Sequence, residues 1–197
     1  MDLRPRVLEN DFVRLEPMEE RHREPLRRVA DDEDIWTLMT LPGFGPHFDT
    51  WFDMMLAAQD RDQISHVVHR KSDGRVVGHS AYLLIVPQHQ RVEIGWTYYA
   101  AEVRRTAVNP ACKLLLVGNA FDSGAQRVEL KTGGKNLRSQ GAMTKAGFVR
   151  EGTWRSHLNT WRGERRDTVY FSVLPEEWPG VKAGLEARLS AFSSAAA

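Results

Sequence analysis

Val92-Glu93-Ile94-Gly95-Trp96-Thr97-Tyr98-Tyr99 runs into Ala100-Ala101-Glu102-Val103-Arg104-Arg105-Thr106-Ala107-Val108-Asn109-Pro110, and that segment opens Ala111-Cys112-Lys113-Leu114-Leu115-Leu116-Val117. The first segment is rich in β-branched and aromatic residues and reads as a strand. The last continues through Ala120 and Phe121 and is apolar nearly all round, which predicts a central, buried helix over residues 110–122. Asn109 suits the N-cap and Pro110 the first helical position. Ser123-Gly124 stops the helix, and residues 127–131 (Arg-Val-Glu-Leu-Lys) read as a strand again. A strand, a short helix and a second strand predict a parallel pair joined by a crossover.

Upstream, residues 64–70 and 76–86 are strands on either side of the turn Ser72-Asp73-Gly74. With residues 92–99 they predict a meander of antiparallel strands. Earlier still, a strand at 12–15 ends at Pro17. Helices follow: one carrying Leu26, Val29 and Ala30, one starting near Asp31, and one over residues 50–58. Leu41-Pro42-Gly43-Phe44-Gly45-Pro46 is a breaker cluster, hence a loop. Downstream, a helix over 137–146 ends at Gly147, and strands near 148–155 and 167–174 flank Arg162-Gly163-Glu164. Residues 181–191 form a final surface helix. The expectation is an α+β fold, one domain over residues 1–192, with 193–197 as a flexible tail.

Composition sets the class. Of 197 residues, 42% are apolar and 27% charged, which excludes a disordered chain and leaves a core of useful size. The net charge of +1 provides no global field to recruit nucleic acid. One cysteine, Cys112, excludes a disulfide framework and a Cys-rich zinc site. His66 and His69 are three apart on a strand and point to opposite faces, so they form no metal pair. No apolar run is as long as a membrane span, and no apolar signal core follows Met1 to Arg6. A cytoplasmic location, no metal and no membrane partner are expected, with nucleic acid disfavoured.

Two strand-to-helix junctions hold the candidate chemistry. At the first, a helix N-terminus with Arg104, Arg105 and Lys113 beside it describes either a phosphate site or an ordinary capped helix. At the second, Lys131-Thr132-Gly133-Gly134-Lys135-Asn136 also leaves a strand and opens a helix, with Asn136 and Ser139 one turn apart. Consecutive units place both along one sheet edge, where α/β ligands bind. Glu93 is either a base or a sheet-face carboxylate paired with Arg91, Arg127 or Lys131. His79 either lines a cleft or is an ordinary sheet-face histidine. Trp36, Met39, Phe44 and Trp51 are either cleft walls beneath a Gly43–Gly45 lid or core.

Residues 92–178 resemble the GNAT superfamily of acyl-CoA-dependent N-acyltransferases, most closely the branch of the ribosomal-protein N-terminal (RimJ/RimL-type) acetyltransferases. The resemblance rests on Val92 to Trp96, Arg104 to Pro110 with Lys113, Arg127 to Lys131, Asn136-Leu137-Arg138-Ser139-Gln140 and Ala146-Gly147-Phe148. Arg150-Glu151-Gly152, Arg155-Ser156-His157 and Arg166-Asp167-Thr168 complete it. It implies a three-layer fold, with helices on both faces of a mixed, mostly antiparallel, splayed sheet of six or seven strands. It implies acetyl-CoA, or another acyl-CoA, as co-substrate. Trp96, Thr97 and Tyr98 would pair with its pantetheine arm, Arg104, Arg105, Thr106, Ala107, Val108, Asn109 and Lys113 would meet its phosphates, and Asn136 and Ser139 would contact it at the second junction. In the phosphate loop, Ala107 and Asn109 stand where small residues or glycines are usual, and Gly133 stands where relatives often carry Asp.

The implied reaction is direct attack of a primary amine on the thioester, the amine belonging to a protein N-terminus, a peptide or a small molecule. Glu93 is the candidate base, directly or through water. Ser139 or Tyr98 would protonate the thiolate, since the family's aromatic acid position holds Phe148. Trp36, Phe44 and His79 are the candidate acceptor contacts. Two alternatives stay open: a succinyl-type donor, or a silent module that senses coenzyme A or binds a protein. A homodimer is a further implication, with Trp161 as a candidate contact.

Overall fold

The computed structural model describes residues 1–59 and 61–195. In chain order the elements are β1 (Leu8–Glu9), β2 (Val13–Pro17), α1 (Arg23–Ala30), α2 (Glu33–Trp36), α3 (Phe48–Ala58), β3 (Ile64–Arg70), β4 (Val76–Val86) and β5 (Arg91–Tyr99). Then come α4 (Val108–Asp122), β6 (Arg127–Gly133), α5 (Leu137–Lys145), β7 (Val149–Asn159), β8 (Arg165–Val173) and α6 (Trp178–Ala195). The strands join in one sheet of order β1-β2-β3-β4-β5-β6-β8-β7. Only β5 and β6 pair in parallel, with α4 as their crossover.

The sheet therefore has eight strands rather than six or seven. The addition is β1, whose Leu8 and Glu9 pair with Leu15 and Arg14, a ladder too short to show periodicity. The C-terminal helix continues through residues 193–195, where a flexible tail was expected; residues 196 and 197 lie outside the described residues. No described helix is long and apolar enough to cross a membrane.

Two apolar clusters lie on opposite faces of the sheet. Leu116, Val117 and Ala120 of α4, with Leu185 and Leu189 of α6, pack on Val92, Val128 and Phe171 of the strands. On the other face Leu26, Trp36, Phe48, Trp51 and Phe52 from α1–α3 pack on Val67 and Tyr98. This second cluster takes no residue from β6, β7 or β8. Half of that face is therefore left for polar and aromatic side chains, and the candidate site lies there.

Candidate active site

Strands β5 and β6 separate. They pair only through Arg91↔Arg127, Val92↔Val128 and Glu93↔Glu129. Beyond Glu93, β6 stays with β8 through Gly133↔Thr168, and β5 stays with β4. The cause is an extra residue in β5. His79 faces Tyr98 while Ala81 faces Gly95, so three steps on β5 oppose two on β4. Trp96 takes up the excess at φ +48°, a left-handed conformation that costs about 1–3 kcal/mol for a bulky residue.

Polar contacts from β4 hold that bulge. Nδ1 of His79 donates to the Trp96 carbonyl at 2.9 Å, and the Ser80 and Thr97 hydroxyls lie 2.7 Å apart. A carbonyl only accepts, so the His79 proton sits on Nδ1. Burial depresses its pKa to about 4, which keeps the ring neutral. Gly78 has no side chain because a Cβ there would collide with the Tyr98 carbonyl. The outcome is a wedge with a strand edge, Trp96-Thr97-Tyr98, turned away from β4 with no β6 partner.

Both helix N-termini open on this edge, since α4 and α5 each follow one of the two parallel strands. Helix α4 starts at Val108, so Asn109 is not its cap and Pro110 is its third residue. The Thr106 hydroxyl explains the shift: it accepts the Val108 N–H at 3.3 Å and donates to the Val103 carbonyl at 2.7 Å. Proline is still suited to this turn, whose N–H groups have no intrahelical partner. The remaining N–H groups of the turn, at Ala107 and Asn109, suit an anion.

Arg104 is already engaged through Nε and Nη2. It bonds Asp32 at 2.8 Å and the Tyr99 carbonyl at 3.2 Å, tying the junction to α2. Arg105 is exposed at φ +66°. Lys113, one turn into α4, is buried, and burial lowers its pKa to about 8. At the second junction Asn136 does cap α5, accepting the Ser139 N–H at 3.1 Å. Gln140 Nε2 donates to the Gly134 carbonyl at 2.9 Å and fixes the loop.

Glu93 sits where the strands part. It is 2% exposed, and Lys131 Nζ donates to its Oε2 at 2.8 Å. Burial raises its pKa above the ordinary 4.5, against the opposing pull of Lys131. Of the partners considered, Lys131 is the one found; Arg91 and Arg127 bond Glu129 instead.

Other expected residues lie elsewhere. Trp36 is wholly buried, donates to the Ala30 carbonyl at 2.9 Å, and backs the site without lining it. His79 is equally buried and braces the bulge. Tyr98 packs its ring among Trp36, Trp51 and His79, and burial pushes its pKa well above 10.0, which makes it a poor proton donor to a thiolate. Trp161 turns inward against Phe44, 5.8 Å between centroids, and donates to the Trp36 carbonyl at 2.9 Å, so it is not an open dimer contact. Phe44 thus latches its loop to the β7–β8 turn.

Several residues near Glu93 come together only in the folded sheet. Tyr170 lies opposite Lys131, and Trp154 and His157 stack near it at 4.6 and 6.2 Å. Arg166 lies over Gly133, where a Cβ would come within 3.2 Å of its Nε. These contacts join residues 13 to 39 positions apart on different strands, beyond the reach of local pattern.

Elsewhere, Glu16, His22 and His69 bring one ligand atom each within 4.8 Å of one another. Glu16 is already held by Arg14 and Arg21 at 2.8 and 2.7 Å. The Glu19 N–H donates to His22 Nδ1, which leaves the proton on Nε2. Those contacts tie the trio into the ion-pair network around Glu16.

A model of the acetyltransferase (GNAT) domain matches residues 13–149. The chain belongs to the GNAT acetyltransferase family. A GCN5-related N-acetyltransferase from Brucella melitensis is 30% identical, over 94% of this chain and 86% of that one, with a TM-score of 0.87. Mycobacterium smegmatis RimJ in complex with CoA-disulfide shares the fold at 18% identity, with a TM-score of 0.79 over 93% and 94% of the chains. The microcin C7 self-immunity acetyltransferase MccE, in complex with acetyl-CoA and AMP, does so at 19% identity and a TM-score of 0.73, over 84% and 93%. No curated protein is significantly similar in sequence. The three-layer expectation holds for this GNAT acetyltransferase, and the enzyme class with it.

Proposed function

We propose that this GNAT acetyltransferase moves the acetyl group of acetyl-CoA to a primary amine, on a protein N-terminus, a peptide or a small molecule, by direct attack in a ternary complex. The observation that carries the reading is the buried Glu93 at the foot of the wedge between β5 and β6. The unpaired β5 edge fits the amide arm of coenzyme A as an added strand. The two helix N-termini and Lys113 fit its phosphates. An acceptor entering over the open half of the sheet meets Glu93 from the other side.

The chemistry then follows. Glu93 takes a proton from the incoming ammonium, directly or through one water. The free amine forms the new C–N bond at the thioester carbon. A backbone N–H of the β5 edge stabilises the oxyanion. The C–S bond breaks as the new amide nitrogen gives up its second proton to solvent, and the departing thiolate takes up a proton, with Ser139 on the first turn of α5 the candidate hydroxyl to relay it.

The test is calorimetric titration with acetyl-CoA, succinyl-CoA and CoA, followed by thiol release with an amine panel. The reading expects tight acetyl-CoA binding and saturable transfer that Glu93→Gln removes. Binding without turnover on any amine would overturn the transferase reading.

A further inference from the structure

The open half of the sheet carries an unspent positive site beside Glu93. Its carboxylates already have cations: Glu93 has Lys131, Glu129 has Arg91 and Arg127, and Glu151 has Arg127. Arg166 makes no salt bridge among the described residues; Glu93 is the carboxylate whose charge reaches it. Its Nη1 donates to the Leu38 carbonyl at 3.2 Å, and its buried Nε meets no acceptor. Two more shielded polar atoms on this patch also lack partners, Thr168 Oγ1 and His157 Nδ1. Buried polar atoms are normally bonded, and three orphans together mark a place for a ligand group.

Trp154 is the outer wall. It is 56% exposed, pairs in register with Thr168, and lies 4.6 Å from the Tyr170 ring and 4.8 Å from His157. A tryptophan held in place by two rings yet open on one side offers a face for stacking a flat group at small entropic cost. Burial first, and then the nearby charges of Lys131, Arg166 and Arg165, lower the His157 pKa, so three cations face this ring.

Resting on the transferase reading above, we infer that the acceptor is a small primary amine that also carries an anionic group, carboxylate or phosphate, and a flat ring. The anion lies against Arg166, Thr168 and His157, the ring lies on Trp154, and the amine reaches Glu93. The same cations disfavour polyamines and lysine-rich peptides, whose extra charges would face Arg166 and Lys131.

The experiment compares kcat/KM for matched amines: 4-(aminomethyl)benzoate against benzylamine, phenylalanine against phenethylamine, and pyridoxamine phosphate against pyridoxamine, with spermidine as the cationic arm. The first two pairs report a carboxylate source and the third a phosphate source. At least one anionic member should exceed its neutral partner tenfold or more. Arg166→Gln should bring that ratio close to one, mainly through KM. Arg166→Lys should keep part of it, and Trp154→Ala should raise KM for the ringed acceptors. Acetyl-CoA affinity should be unchanged in all three variants. Preference for neutral amines or spermidine, or an equal loss for both members of each pair in Arg166→Gln, would overturn the inference and leave the transferase reading standing. A Trp154→Ala variant that only turns a dimer into a monomer by light scattering, with acceptor kinetics intact, would also overturn it. Failure of acetyl-CoA to bind would remove the transferase reading and this inference together.

Discussion

Glu93→Gln separates charge from shape. The amide fills the same volume, and Lys131 can still donate to its oxygen, across the 2.8 Å contact it now makes to the carboxylate. A neutral acceptor gives roughly half the strength of a charged one. The variant loses its proton acceptor, and general-base catalysis is typically worth about 10²–10⁴-fold, or roughly 3–5 kcal/mol of barrier. We expect kcat to fall at least a hundredfold, with the acetyl-CoA dissociation constant changing less than about threefold, because Glu93 faces the acceptor side. The pH profile adds a second readout. Burial holds the Glu93 pKa above 4.5, so the acidic limb of kcat/KM in the parent should lie above the ordinary carboxylate range and vanish in the variant. Stability moves the other way. A carboxyl whose folded pKa is raised favours the fold below its unfolded pKa, and that contribution is lost as pH rises through the folded pKa. At neutral pH the ionised Glu93 is a cost, so the variant should melt within a few degrees of the parent. Steady-state thiol release at several pH values is the assay. A variant keeping a third of the parent kcat with an unchanged acidic limb would refute the assignment of Glu93 as base.

His79→Leu leaves the Trp96 carbonyl without its 2.9 Å donor, and should cost about 1–3 kcal/mol in denaturant melts and weaken acetyl-CoA binding several-fold. Unchanged binding would show that the bulge holds itself. Gly78→Ala drives a methyl into the Tyr98 carbonyl and to within 2.6 Å of the Tyr99 ring, so a loss of about 1–3 kcal/mol is expected by thermal unfolding. A neutral result would mean that β4 and β5 can part there freely. Cys112 is buried, and burial pushes its thiol up to about 12, so iodoacetamide at pH 7 should leave the folded protein unlabelled by mass spectrometry. Rapid labelling would contradict the packing of α4.

Local signals account for most of the fold. Strands β3 and β4 have the boundaries read from the sequence, because Ser72-Asp73-Gly74 sets the turn and β-branched residues fill both arms. Helix α4 was legible because it is apolar on every side. Helix α4 starts two residues before the sequence reading, because the Thr106 hydroxyl accepts the Val108 N–H and Asn109 is already helical. The site was legible only in part. Glu93 and the two junctions lie on elements with clear patterns. The left-handed Trp96 is not a local preference of tryptophan; it is imposed by β4 through His79 and Ser80. Arg166, Trp154 and Tyr170 converge through the antiparallel β6–β8–β7 ladder, whose register no single segment encodes. For Trp36 and His79 the sequence leaves cleft and core both open, because burial of an aromatic or imidazole ring cannot be told from its type alone, and the structure buries both.

The central claim is that acetyl-CoA enters the wedge and pairs with the free edge of β5. Hydrogen–deuterium exchange with and without acetyl-CoA tests it most directly. The account predicts slower exchange at Trp96, Thr97 and Tyr98 and at Ala107 and Asn109, with little change in β3 or α1. Exchange unchanged at those residues under saturating acetyl-CoA, or protection confined to another part of the molecule, would contradict it.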